Sequence, residues 1–292
     1  MSRERTRLET AWRRHERRWA DHLYVYAVVS RRSRGLSVGI NLNPDKACNF
    51  DCIYCQVDRA VPPRVRRVDV ARLAKELDAV LEAARAGWLF DRPPFDVLPP
   101  GERVIRDIAF SGDGEPTTSP AFLEAVRTAA AARERFGLAS TKLVLITDAA
   151  YLAKPAVREA LRVLDDHNGE IWAKLDAGTE EYYRLVDRPN VPLRVVLDNL
   201  RDAASLRPIV IQTLFLRVHG AAPPPEEIEA YCRRLRALLD EGGQVKQVQL
   251  YTIARPPAES FAAPLEPSEL DAIASSVRER LPVPIDVFYG GL

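Results

Sequence analysis

The feature that most restricts the fold is a rhythm. From residue 104 onward, short apolar runs of strand character alternate with segments of helical periodicity. The runs are VIRDIAF (104–110), KLVLIT (142–147), EIWAKLD (170–176), PIVIQTLFLRV (208–218) and KQVQLYTI (246–253). Apolar residues recur at helical spacing near 119–134, 153–164, 179–186, 192–205, 225–240 and 267–280. Ahead of these lie LSVGINL (36–42) and a helical segment near 69–86 with Val70, Leu73, Leu77, Val80 and Leu81 on one face. Six strands thus precede a closing one, VPIDVFY (283–289). Alternation of this kind calls for a parallel sheet with right-handed crossovers. The expectation is an α/β fold: a partial (β/α)6 TIM-like barrel with an N-terminal helix and a C-terminal extension. In either a barrel or an open sheet, function gathers at the carboxyl ends of the strands.

The flanks read differently. Leu8, Trp12, His15 and Trp19 mark an amphipathic, arginine-rich helix over 3–21, and LYVYAVV (23–29) is a strand before the polar turn SRRSRG. VDRAVPPRVRRV is a proline-broken basic loop, and the four prolines of DRPPFDVLPPGE exclude regular structure there. The expected divisions are a basic extension (1–35), the partial barrel (36–260) and a C-terminal helix and strand (261–292).

Composition narrows the class. With 292 residues, 47% hydrophobic and 28% charged, the chain is a globular protein with ample core, not a disordered or collagen-like one. It has no run of 18 uncharged apolar residues and no apolar stretch in its amino terminus, so neither a membrane span nor a secretory signal is expected. Four cysteines are too few for a disulfide scaffold and point to a reducing cytoplasm. The net charge of +1 conceals a split: residues 1–34 hold ten arginines and four acids, a balance of +6 against −5 for the remainder. That asymmetry is a weak pointer to a polyanionic partner, since arginine outnumbers lysine 36 to six throughout.

The most specific string is CNFDCIYC, which places Cys48, Cys52 and Cys55 at C-x3-C-x2-C just after strand LSVGINLN. Three thiolates on so short a loop can converge on one metal centre. A [4Fe–4S] cluster normally takes four cysteines. The remaining one, Cys232, sits on a helical stripe with Ile228, Leu235 and Leu239 and reads as a small core hydrophobe. Three ligands and one open iron would remain. A zinc knuckle completed by histidine is the alternative, although His15, His22, His167 and His219 are isolated in sequence.

C-x3-C-x-aromatic-C after the first strand resembles the signature of the radical S-adenosylmethionine superfamily. The resemblance implies that Cys48, Cys52 and Cys55 hold a [4Fe–4S] cluster and that its open iron chelates S-adenosylmethionine. It also implies that Tyr54 lies beside the adenine. SGDGEPT (111–117) resembles the superfamily's Gly-Gly-Glu-Pro element, which brings Ser111, Gly112, Asp113, Gly114 and Glu115 to the cofactor. Physically, Gly112 and Gly114 would let backbone carbonyls approach an ammonium group. Together with KLDAGTEEYYRLVDRP and QLYTIARPPAE, these strings are similar to the iron–sulfur oxidoreductases related to wyosine-type tRNA-modifying synthetases, over about residues 36–260. Residues 1–47 depart from the tricycle-forming synthases by lacking cysteines for a second cluster, so their condensation of pyruvate with a methylguanosine is not expected.

Polar residues within or ending apolar strands complete the candidate site, because burying them unpaired is costly. Thr147, Asp148, Lys174 and Asp176 are candidates toward the cofactor's ribose or carboxylate. Gln212 is a candidate for cofactor or substrate, and Lys174, Tyr251 and Arg255 are the candidate catalytic residues. The alternative is that they pair with one another within the sheet. The implied activity is radical abstraction of hydrogen from a substrate carbon, with electrons from a separate reductant such as flavodoxin. The substrate would be a tRNA, contacted through basic residues including Arg59, Arg64, Arg66 and Arg67, or a small molecule or peptide. A non-catalytic iron–sulfur or zinc protein is the remaining reading.

Overall fold

The structure, a computed structural model, describes residues 7, 8, 10–12 and 19–290. The chain is α/β, and its succession of strand–helix units is that of a partial TIM-like barrel, as expected from the sequence. Contacts group it into two compact units. The first comprises residues 1–48, 61–146 and 155–170; the second comprises 49–60, 147–154 and 171–292.

In the first unit β1 (Val25–Ser30) pairs antiparallel with β2 (Gly35–Ile40), which pairs parallel with β3 (Ile105–Phe110), which pairs parallel with β4 (Lys142–Thr147). All six residues of β2, an interior strand paired on both edges, are buried. Helix α1 (Val70–Arg85) follows β2 and α2 (Phe122–Arg135) follows β3. After β4 comes α3 (Pro155–Asp166), whose Val157, Ala160, Leu161 and Leu164 form one buried stripe. Buried Glu76 of α1 holds β1 in place, accepting from the amides of Leu23, Tyr24 and Val25 and from Arg72. Burial alone would raise its carboxyl, but those donors hold it below its ordinary value.

In the second unit β5 (Gly169–Lys174), β6 (Ile209–Leu214), β8 (Val245–Tyr251) and β10 (Ile285–Phe288) pair parallel in that order. Four helices belong here: α4 (Glu180–Asp187), α5 (Leu193–Leu206), α6 (Pro225–Asp240) and α7 (Pro267–Arg280). Strand β6 is buried throughout, with an Ile-Val-Ile core. Cys232 is buried in α6, the core position expected of it.

Several elements differ from the sequence expectation. The run 208–218 is two strands, β6 and the short β7 (Leu216–Val218), which pairs antiparallel with β9 (Ala262–Pro264). The break falls at Phe215, whose amide turns to the Tyr251 carbonyl at 2.9 Å. The proline-rich stretch holds two single 3-10 turns, Phe95–Val97 and Pro100–Glu102, with a third, Trp88–Asp91, leading into it; Pro100 opens the last, since proline is tolerated in a first turn. Of the helix expected over 3–21, residues 7, 8 and 10–12 are helical, while His15 lies outside the described residues. Trp19 is not helical; its ring stacks on Trp88 at a centroid distance of 6.0 Å.

Candidate functional site

In the first unit, the carboxyl ends of β2 and β3 meet in a polar clasp. Asn41 Nδ2 donates to Asp113 Oδ2 at 2.8 Å, and Asn41 Oδ1 accepts from the amides of Asp113 and Asn43 at 3.1 Å each. Asn43 Nδ2 donates to Thr118 Oγ1 at 2.9 Å. Gly112 lies flat on the Asn41 side chain, and Gly114 lies against the Ala47 carbonyl, one residue before Cys48. A Cβ at either glycine would overlap these neighbours, so close backbone approach is what requires glycine here. Glu115 is buried, accepting from the amide and hydroxyl of Thr117 at 3.0 and 2.6 Å. Ser111 Oγ bonds Tyr26 OH at 3.1 Å. The expected residues 111–115 are therefore one ordered loop. Asn41 and Asn43, which brace it, have no role in the sequence reading. Two asparagines directly after a strand, facing a Gly-x-Gly loop, are the signal that could have found them.

Lys46 donates from its ammonium to the Val61 carbonyl at 2.7 Å, joining two residues that bracket all three loop cysteines. Cys48, Cys52 and Cys55 are in no disulfide and are half-buried.

In the second unit, the segment after Cys48 is gripped from two sides. The amides of Asp51 and Ile53 donate to the carbonyls of Asp187 and Val186, and the Asn190 amide donates to the Asn49 carbonyl. On the other side, the amides of Ala258 and Glu259 donate to the carbonyls of Cys55 and Ile53 at 2.8 and 3.3 Å. Cys55 Sγ accepts from Arg59 Nη1 at 3.2 Å.

Tyr54 turns inward from this loop into a buried polar cluster. Its hydroxyl bonds Asp187 Oδ1 at 2.8 Å and, more closely, Asp176 Oδ2 and the Lys174 ammonium. Lys174 Nζ also lies 3.0 Å from Asp176 Oδ2, while Asp176 Oδ1 accepts the Leu214 amide at 2.7 Å. Burial, and then the Asp176 carboxylate, push the Asp187 carboxyl up to about 7. Burial alone would lower the Lys174 ammonium, but Asp176 and its neighbours hold it well above its ordinary value. It is a fixed cation, not a free amine. Burial pushes the Cys52 thiol well up, so binding of a metal there would release a proton.

The other candidates fall as follows. Thr147 Oγ1 accepts the Ala149 amide at 3.0 Å and Asp148 Oδ1 the Ala150 amide at 2.9 Å, in a buried turn secured by Asn199. Gln212 Nε2 donates to Gln249 Oε1 at 2.8 Å, a pairing within the sheet. Tyr251 contributes to the charge environment of Tyr54 and Lys174, and the Arg255 carbonyl accepts from Gln56 Nε2 at 3.4 Å. Asp187 has no role in the sequence reading. An acid as the last residue of a helix opposes the helix dipole, which is the signal that could have flagged it.

Among the described residues, no group of three His, Cys, Asp or Glu side chains converges on a single-ion site. A cluster of several irons differs from one ion in that each thiolate binds its own iron and the sulfurs remain apart. No helix among the described residues is long and apolar enough to cross a membrane.

No family model matches the chain. A UPF0026 protein of Helicobacter pylori strain 26695 is 25% identical over 245 residues, covering 82% of this chain and 68% of that protein. A UPF0026 protein of Methanocaldococcus jannaschii is 27% identical over 178 residues, 61% of this chain and 47% of that protein. Among solved structures, archaeal TYW1 aligns at 12% identity with a TM-score of 0.42, over 85% of this chain and 72% of that one.

Proposed function

We propose that the chain is a radical S-adenosylmethionine enzyme. The observation that supports the reading most directly is the donor set. None of Cys48, Cys52 and Cys55 is in a disulfide, while the fourth cysteine is buried in α6. That set fits a cluster with three protein ligands and one iron open to a small molecule. A reduced [4Fe–4S] cluster held there would supply the electron that cleaves the sulfonium of S-adenosylmethionine, giving a 5′-deoxyadenosyl radical that takes hydrogen from a substrate carbon.

The chain's own residues would bind and orient. The Asn41–Asp113 clasp fixes the Ser111–Glu115 loop, whose glycines bring backbone close to its surroundings. Tyr54 anchors the cysteine loop inward through Lys174, Asp176 and Asp187. The one-electron donor would be a separate protein such as flavodoxin, in the cytoplasm.

Anaerobic reconstitution with iron and sulfide should give a cluster whose reduction cleaves S-adenosylmethionine. Undiminished cleavage after replacing all three loop cysteines with alanine would sink the reading. Stoichiometric zinc without iron would favour the metal-binding alternative.

For substrate, exposed Arg59, Arg64, Arg66 and Arg67 support a nucleic acid, with tRNA the first candidate. Binding should weaken steeply with salt and on removal of residues 1–20. No binding at low salt would favour a small molecule or peptide instead.

A further inference from the structure

We propose that Arg188 is a positioning residue that clamps the cysteine loop. The inference rests on the functional reading above for its purpose, though the clamp itself is a matter of geometry. Arg188 follows α4 directly and adopts the left-handed conformation, with φ 42° and ψ 56°. A non-glycine residue there is unfavourable and persists where its surroundings fix it. The turn sends the next residues back along the cysteine segment: Pro189 bridges Phe50, and the Asn190 amide reaches the Asn49 carbonyl.

The side chain then closes what the backbone began. Arg188 Nη1 lies 2.6 Å from Glu259 Oε1 and 3.6 Å from Asp51 Oδ2. Asp51 lies on the loop between Cys48 and Cys52. Glu259 lies on the opposite wall, where its amide bonds the Ile53 carbonyl. One guanidinium nitrogen thus ties the loop to both segments that flank it. Neighbouring Asp187 faces inward to Tyr54, so two consecutive residues hold the loop from inside and outside.

The experiment is amide hydrogen exchange on the metal-free full chain, read on peptides covering residues 49–59. Arg188→Gly keeps the left-handed backbone and removes the clamp. It should speed exchange there about fivefold, while β6 exchanges as in wild type. Arg188→Lys should restore protection, because a single nitrogen makes both contacts. Glu259→Gln should reproduce part of the loss, which keeps the test open if Arg188→Gly folds poorly. In the reconstituted protein, Arg188→Gly should surrender iron to a chelator faster by a similar factor. Unchanged exchange in Arg188→Gly, or no recovery in Arg188→Lys, overturns the clamp. A wild-type chain that takes up no iron overturns the functional reading instead, and leaves the metal-free exchange rates as they were.

Discussion

The Tyr54 hydroxyl lies 2.8 Å from Asp187 Oδ1 while also bonding Asp176, so one phenolic proton faces two buried carboxylates. It cannot serve both. Asp176 already accepts from Lys174 and from the Leu214 amide, so the second proton belongs on Asp187.

That placement sets a pH dependence. The Asp187 carboxyl is raised to about 7, chiefly by burial and then by Asp176. An unfolded Asp titrates at about 3.9, so between about pH 4 and pH 7 the folded chain binds the extra proton. Stability of the metal-free chain should therefore fall as pH rises through that window. Asp187→Asn should flatten the profile and be no less stable than wild type at about pH 8. Denaturant midpoints across the range test it; parallel profiles for the two proteins would count against the assignment.

Lys174 is the cation that makes the cluster tolerable. Lys174→Met leaves Asp176 buried without its charge partner and should cost about 3–5 kcal/mol in urea unfolding. Adding Asp176→Asn should recover much of that loss, because the uncompensated charge goes with it. Additive losses in the double variant would show that the two groups are not coupled.

The two glycines of the first unit should differ. A Cβ at Gly114 meets the Ala47 carbonyl, which is backbone, as well as the Asn43 side chain, whereas one at Gly112 meets the Asn41 side chain from Oδ1 back to Cβ and no backbone atom among its nearest neighbours. Gly114→Ala should cost about 1–3 kcal/mol, and Gly112→Ala less, because the Asn41 side chain can be displaced, at the loss of its bonds to Asp113, where a backbone carbonyl cannot. Thermal melts decide the order, and a reversed one would contradict the packing.

Glu227 holds the loop that follows Asp176. Its carboxylate accepts from the Gly178 amide and from the Thr179 hydroxyl at 2.5 Å, and Gly178 is packed against the Tyr231 backbone. Glu227→Ala should cost about 2 kcal/mol, since the crowded loop cannot turn its amides to water. Glu227→Gln, which keeps an acceptor, should cost less. Equal melting temperatures for the alanine variant and wild type would refute this account.

The sequence was most legible where local chemistry acts alone. Helix α6 begins at Pro225, a good first-turn residue, and runs over the span that its apolar period marks. The cysteine spacing and the Gly-x-Gly turn were visible for the same reason. Hidden were contacts between distant residues: Tyr54 with Asp187, Asn41 with Asp113, Gln212 with Gln249. Their partners sit on separate elements, and neither periodicity nor propensity encodes which strand lies beside which. The polar strand residues thus announced that something was paired, but not with what.

The bond from Lys46 to the Val61 carbonyl joins residues fifteen apart and turns the cysteine segment into a ring. Drawing such a span closed costs a free chain about 2 kcal/mol of entropy. A hydrogen bond from a charged donor contributes about as much in return. The bond therefore roughly offsets the entropy of closing the span, and the ring forms at little net cost. A segment tied in this way has less freedom left to lose when its thiols take up a ligand.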